Sequence, residues 1–245
     1  MYHRIADIPG DRNALPLEKF CQQVKYLSDN GFHTVTMQMV YDFYAYGKKL
    51  PPKPILLTFD DGYVDNFTEA LPILKKKNMT ATVFPIANWI GKENKWENFN
   101  KKLTTTMDWD QLKKWQAAGM EVASHTVDHP LLAYCFAEQT MRELEESKTI
   151  LEKTLSCPID FLCYPYGSFN NQTKLVAEKT GYKAAFAIFE DVPLWNIDVF
   201  ALPRIPIPAH QSLSEFKLKV STIHVIFIAL RQWERTIKHW IRKRK

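Results

Sequence analysis

The sequence predicts an α/β fold: a distorted (β/α) barrel of about seven parallel strands, followed by a C-terminal amphipathic helix. Three observations carry this. Apolar, β-rich runs alternate with segments of helical periodicity along most of the chain, and strict strand-then-helix alternation implies a parallel sheet. The run Ile55-Leu56-Leu57-Thr58-Phe59 is apolar without alternation, as expected of a strand covered on both faces. At 245 residues the chain has the length of one barrel, which commonly runs to roughly 250 residues.

In chain order, Leu17, Phe20, Val24 and Leu27 give Leu15–Ser28 one apolar helical stripe, which Asn30-Gly31 terminates. Phe32–Met39 is expected to be a strand. Pro51, Pro52 and Pro54 precede the central strand that starts at Ile55. Asn66–Lys77 then reads as a helix and Thr80–Ile86 as the next strand. Asn88–Lys102 carries Trp89, Trp96 and Phe99 among polar residues and is expected to loop over the mouth of a site. Asp108–Ala118, closed by Gly119, is a short helix feeding the strand Met120–Ala123. Ala137–Leu155 is a longer helix, Ile159–Cys163 a strand, Asn171–Thr180 a helix ended by Gly181, and Lys183–Phe189 a further strand.

Composition narrows the class. Hydrophobic residues make up 46% and charged residues 24%, with 8 glycines, which excludes disordered and fibrous chains. Cys21, Cys135, Cys157 and Cys163 have no Cys-x-x-Cys spacing, are too sparse for a disulfide scaffold, and read as mostly buried thiols. The first residues hold no apolar core of signal-peptide length, and no run approaches a membrane span of ~20 residues. The expectation is a cytoplasmic protein, or one peripheral at the inner membrane face, unless a segment precedes Met1.

Chemistry concentrates where the central strand runs into Asp60-Asp61-Gly62. Adjacent buried carboxylates repel each other and lose hydration, so they call for a positive partner. A metal ion would serve. His125 and His129, in Ser124-His125-Thr126-Val127-Asp128-His129-Pro130, stand four apart and can point the same way from one helical turn or a tight loop. One carboxylate and two imidazoles suit a catalytic divalent ion with an open position, leaving the second carboxylate as a base. By the strand assignments, both stretches sit at C-terminal strand ends, where barrels carry their sites.

Thr58-Phe59-Asp60-Asp61-Gly62, His125-Thr126-Val127-Asp128-His129-Pro130 and Tyr164-Pro165-Tyr166-Gly167 resemble the first three motifs of the polysaccharide deacetylases, carbohydrate esterase family four. The resemblance runs from Tyr2 to about Ile207 and is strongest to the branch of poly-N-acetylglucosamine deacetylases of bacterial biofilm systems. It implies that Asp60 is the general base and that Asp61, His125 and His129 hold the metal: zinc first, cobalt or nickel as alternatives. It implies further that the backbone N–H of Tyr166 stabilises an oxyanion and that Tyr164 and Pro165 belong to the substrate site. The commoner family form has arginine where this chain has Cys163; the branch tends to supply arginine from a later segment, which points to Arg204. The general acid is implied to be His3, in Tyr2-His3-Arg4, with His210 as the alternative. Thr126 is expected to fix its loop by hydrogen bonding, and Asp128 to cap or turn the chain. Trp195 fits either a sugar-stacking wall or the core.

Ser212-Leu213-Ser214-Glu215 is a capping box, so a helix is expected from Leu213, dividing a catalytic part, 1–212, from a basic amphipathic tail, 213–245. From Arg231 to Lys245 seven of the 32 basic residues face one of the 27 acids, Glu234, which leaves 25 basic and 26 acidic residues in the body. Ile226, Leu230, Trp233, Ile237 and Trp240 follow helical spacing beside that charge. Residues 220–245 therefore suit an anionic membrane surface or, in their first half, packing on the body. Nucleic acid is not expected, because the basic charge is confined to the end.

The function expected is metal-dependent removal of N-acetyl groups from N-acetylhexosamine in a glycan or lipid-linked saccharide. Removal of another small acyl group such as formyl, a carbohydrate-binding pseudoenzyme, and a membrane-surface interaction protein are the rivals.

Overall fold

The computed structural model describes residues 1–96, 104–188, 198–221 and 224. The expectations for Phe99, Trp195 and the helix beyond residue 224 lie outside the described residues.

The chain enters through β1 (Arg4–Ile5) and β2 (Ala14–Leu15), which pair in parallel. Helix α1 (Leu17–Asp29) buries Phe20, Gln23, Val24 and Leu27, close to the stripe read from its periodicity. The next stretch differs from expectation. Only β3 (His33–Thr34) of the expected strand Phe32–Met39 forms, and α2 (Met37–Tyr46) follows at once. The Thr36 side chain accepts the Met39 N–H to start this helix, and Gly47, at φ +67°, closes it. Local β propensity was outweighed by burial of Met37 at the N-terminal end of the strands, among Phe84, Phe161, Phe186 and Leu202.

Strand β4 (Pro54–Ile55) pairs with β3, and β5 (Thr58–Asp61) starts after a gap of two residues, Leu56 and Leu57. After α3 (Leu71–Lys76) come β6 (Thr82–Pro85), α4 (Trp109–Ala117), β7 (Glu121–Val122), α5 (Ala137–Leu155) and β8 (Phe161–Cys163). Then follow α6 (Asn171–Lys179), β9 (Ala184–Ile188), β10 (Leu202–Arg204) and α7 (Leu213–Lys219). The expected Asn66–Lys77 helix opens with a wider π turn over Asn66–Ala70. Asp108 with Gln111, and Ser212 with Glu215, both form complete capping boxes. Phe216 of α7 is buried against Tyr26 of α1, ring centroids 6.4 Å apart, so this helix packs on the body. Of the cysteines only Cys163 is buried; Cys21 is exposed and Cys135 and Cys157 are half-buried, because their helix and loop positions face outward, which corrects the expectation for three of the four. No helix among the described residues is long and apolar enough to cross a membrane.

All pairings between the named strands are parallel, in the orders β5-β6-β7 and β8-β9-β10. Two bridges extend them: Tyr2 pairs with Phe59, and Ser124 with Leu162. At the other edge the Met1 ammonium donates to Ile205 O at 2.9 Å, and the Ile207 N–H to Met1 O at 3.0 Å. Strand side chains alternate between two cores. Phe59, Val83, Val122, Leu162 and Ala185 pack outward with the helices. Phe84, Ala123, Cys163, Phe186 and Leu202 form a separate inner cluster. Because Asp60 follows Phe59 and pairs with Phe84, the alternation turns it inward.

Candidate active site

Asp60 and Asp61 are the last residues of β5, 2% and 4% exposed. The backbone turns sharply here, with Asp61 at φ +70° and Gly62 at φ +73°. A Cβ on Gly62 would sit 3.0 Å from Pro85 Cα, so both conformation and space require glycine. Gly62→Ala is expected to lower stability by about 1–3 kcal/mol, read from a denaturant midpoint. Seven non-glycine residues have positive φ among the described residues, and four of them are Asp61, Thr126, His129 and Tyr166. Backbone strain thus gathers where the three sequence motifs meet.

His125 leaves β7 through Ser124, whose N–H donates to Phe161 O at 3.0 Å. The two histidines converge from a tight loop, not a helix: Thr126 Oγ1 accepts the His129 N–H at 3.0 Å, as expected of Thr126. Beneath the loop, the buried Glu143 of α5 accepts the N–H groups of Val127 at 3.0 Å and Asp128 at 2.9 Å. Sequence reasoning missed Glu143, although its position on the buried stripe with Thr140, Leu144 and Ser147 marks an unusual carboxylate. Asp128 points elsewhere, accepting from Asn88 at 2.7 Å and pairing with Arg142.

Asp61 Oδ1 lies 3.5 Å from His125 Nε2 and 3.4 Å from His129 Nε2, and the two nitrogens are 3.2 Å apart. Donors at ~2.0–2.2 Å around a tetrahedral cation are separated by roughly 3.3 Å, so the trio fits a divalent ion in spacing. It also fits in chemistry. His125 Nδ1 donates to Cys163 O at 2.8 Å, which orients the ring so that its neutral form would offer the Nε2 lone pair to a cation beside Asp61. Without a cation, burial drives the His129 ring down to about 3, and the nearby His125 charge adds to this. Burial also opposes charge on His125, but Cys163 and Asp61 pull it well above the usual histidine range.

Beside this trio, Arg204 at the end of β10 grips Asp60 with both arms of its guanidinium: Nη1 to Oδ1 at 2.6 Å and Nη2 to Oδ2 at 2.8 Å. It also donates to Thr58 Oγ1 at 3.2 Å and Cys163 Sγ at 2.8 Å, and lies 5.2 Å over the Phe84 ring. Burial alone would push the Asp60 carboxyl up; the Arg204 charge and hydrogen bonds overcome that and hold it well below the usual carboxylate range. The small thiol of Cys163 leaves room for a guanidinium arriving from a different strand.

The Tyr2–Phe59 bridge sets His3 at the register position of Asp60, with Tyr2 O accepting the Asp60 N–H at 2.9 Å. His3 is half-buried and close enough to act electrostatically on Asp60, Asp61 and His129. His210 is exposed and lines the same small cavity as His3. Tyr166 is 56% exposed, its ring 4.5 Å from His129. Tyr164 and Pro165 are different. Both are buried; Tyr164 stacks on Phe169 and donates to Phe200 O at 2.9 Å, so these two hold the loop from behind instead of presenting side chains to a substrate. In the expected mouth loop, Trp96 lies 6.3 Å from His129 and 5.4 Å from Trp89, ring to ring.

Residues 47–185, more than half of the chain, match the family profile for polysaccharide deacetylase. The Bacillus subtilis (strain 168) protein YxkH is 32% identical over 216 residues, covering 88% of this chain and 73% of its own. Poly-beta-1,6-N-acetyl-D-glucosamine N-deacetylase of Escherichia coli (strain K12) is 23% identical over 257 residues; the match takes in 91% of this chain and 38% of that longer protein. Among solved structures, the Streptococcus pyogenes deacetylase PplD in complex with acetate superposes with a TM-score of 0.79 at 26% identity, covering 90% of this chain and 95% of that one. On the profile match and the identity to YxkH, the chain belongs to the polysaccharide deacetylase family.

Proposed function

We propose that the protein removes N-acetyl groups from N-acetylhexosamine residues of a glycan or a lipid-linked saccharide. The observation that carries this reading is the meeting of two arrangements at one buried end of the strands: a carboxylate gripped by arginine, and a three-donor set spaced for a cation. The substrate named for the Escherichia coli relative, a polymer of N-acetylglucosamine, supports it. Asp61, His125 and His129 would hold a divalent cation, zinc first and cobalt or nickel as alternatives, and that ion supplies the positive charge that polarises water and the amide carbonyl.

Asp60 takes the proton of the attacking water. The Arg204 grip keeps Asp60 ionised and aimed, at some cost in basicity. As the carbonyl carbon becomes tetrahedral, its oxygen gains charge, and the Tyr166 N–H, presented by a left-handed turn, donates to it. His3, at the register position of Asp60, gives a proton to the leaving nitrogen, and His210 is the alternative donor. Acetate and a free amine result. In this reading the parallel pairings that return to Met1 form a barrel of seven strands, with these residues at its mouth.

Chelation of the metal is expected to abolish acetate release from short N-acetylglucosamine oligomers, and reloading with zinc or cobalt to restore it. Release that survives complete stripping, verified by elemental analysis, would overturn the metal assignment.

A further inference from the structure

The proposed acid and its alternative, His3 and His210, line a recess whose other polar residues, Arg12 and Asn13, have no part in the deacetylase reading. His3, Arg12, Asn13 and His210, with Pro206 and Pro208, bound a cavity of about 160 Å³. That is smaller than the ~300–1,000 Å³ of a site for a drug-sized ligand, so it takes one compact group. Its polar lining among the described residues is two imidazoles, a guanidinium and an amide, with no carboxylate. Asp11, on the same loop, accepts the Asn13 N–H at 2.9 Å. The two walls are tied together: Ala209 N–H donates to Arg12 O at 2.8 Å, Lys19 Nζ to Ala209 O at 2.8 Å, and Lys219 Nζ to Pro206 O at 3.0 Å. Both lysines add positive charge nearby.

A second cavity, of about 390 Å³, adjoins the first and shares Pro208 and His210 with it. Gln211 lines it, 2% exposed, with neither its side-chain oxygen nor its nitrogen hydrogen-bonded. A buried amide without partners calls for a ligand or water to satisfy it. The one carboxylate among the described lining residues, Glu215, is engaged by Ser212 in the α7 cap.

We propose that the smaller recess is a subsite for a phosphate ester carried by the sugar that is deacetylated. A phosphate matches it better than a carboxylate, having more peripheral oxygens and more charge for a guanidinium, two imidazoles and an amide to meet. Whatever the phosphate bears continues past Gln211. The proposal rests on the deacetylase reading for its substrate, but the recess can be tested separately.

The test uses the full chain loaded with zinc. Acetate release is measured from the neutral methyl N-acetylglucosaminide, from the 1- and 6-phosphates of N-acetylglucosamine, and from polyprenyl diphosphate-linked N-acetylglucosamine in detergent micelles. At least one phosphorylated substrate should exceed the neutral one by about 10-fold or more in kcat/KM. Arg12→Ala should remove that preference while leaving the neutral substrate unchanged, and Arg12→Lys should keep part of it. Preference for the micellar substrate alone identifies a lipid diphosphate; preference for a soluble one identifies a free sugar phosphate. Equal turnover of all substrates, or an Arg12→Ala loss that is the same for neutral and phosphorylated ones, overturns the subsite. If no acetate appears from any substrate, the deacetylase reading fails on its own, and calorimetry with inorganic phosphate decides the recess. Binding weakened about 10-fold by Arg12→Ala supports the subsite, and no binding overturns it.

Discussion

Asp60→Asn is expected to lower acetate release by about 10²–10⁴-fold while leaving metal stoichiometry and sugar binding intact. The variant keeps one oxygen for Arg204 but replaces the other acceptor with an amide NH2 and removes the charge, so it loses the proton acceptor together with part of the buried ion pair, and folding is checked alongside activity. Asp61, His125 and His129 lie 3.2–3.5 Å from one another without an Asp60 oxygen among them, so the trio is expected to keep its metal. Loss of metal along with activity would mean that Asp60 shapes the ligand set. Unchanged release would place the base elsewhere.

Arg204→Met is expected to be the most destabilising single change at the site. It strips both hydrogen-bonding arms from a carboxylate that is 2% exposed, and breaking one side of a buried pair costs about 3–5 kcal/mol. The pH dependence has a definite sign. Arg204 holds the folded-state Asp60 carboxyl below its unfolded range, so the pair's contribution is fully present above pH ~4 and is lost as pH falls through the folded value. In the variant, burial is opposed only by the smaller contributions of His125 and His3, and it raises the carboxyl. The stability gap between wild type and variant should therefore be widest at neutral pH and narrow towards pH ~4, read from urea midpoints. A gap that is constant with pH would mean that lost packing over Phe84, not the ion pair, dominates.

The motifs were legible because each follows a short, largely apolar run that reads as a buried strand, and chemistry in such folds gathers at strand ends. Asp60, Asp61, His125 and His129 can be grouped from the sequence alone, since two costly carboxylates and two imidazoles share one solution. Arg204 could not be found that way. It is 144 residues from Asp60, and their meeting depends on the register of β10 with β9 and of β9 with β8, which no local pattern encodes; only family resemblance pointed to it. Helix α2 was missed because Phe32, Thr34, Val35 and Thr36 favour a strand locally, whereas the need to bury Met37 in the inner cluster decides otherwise. Tyr164 was given to the substrate site on family resemblance alone, whereas its side chain is buried like that of its strand neighbour Cys163, and Tyr166 is the exposed tyrosine of the motif.

The most direct test of the account is to measure acetate and free amine together, from N-acetylglucosamine oligomers incubated with protein whose metal content has been titrated. The account predicts equal amounts of the two products, appearing in proportion to bound metal and stopping when the metal is removed. Neither product appearing from fully loaded protein, on neutral and phosphorylated sugars alike, would contradict it.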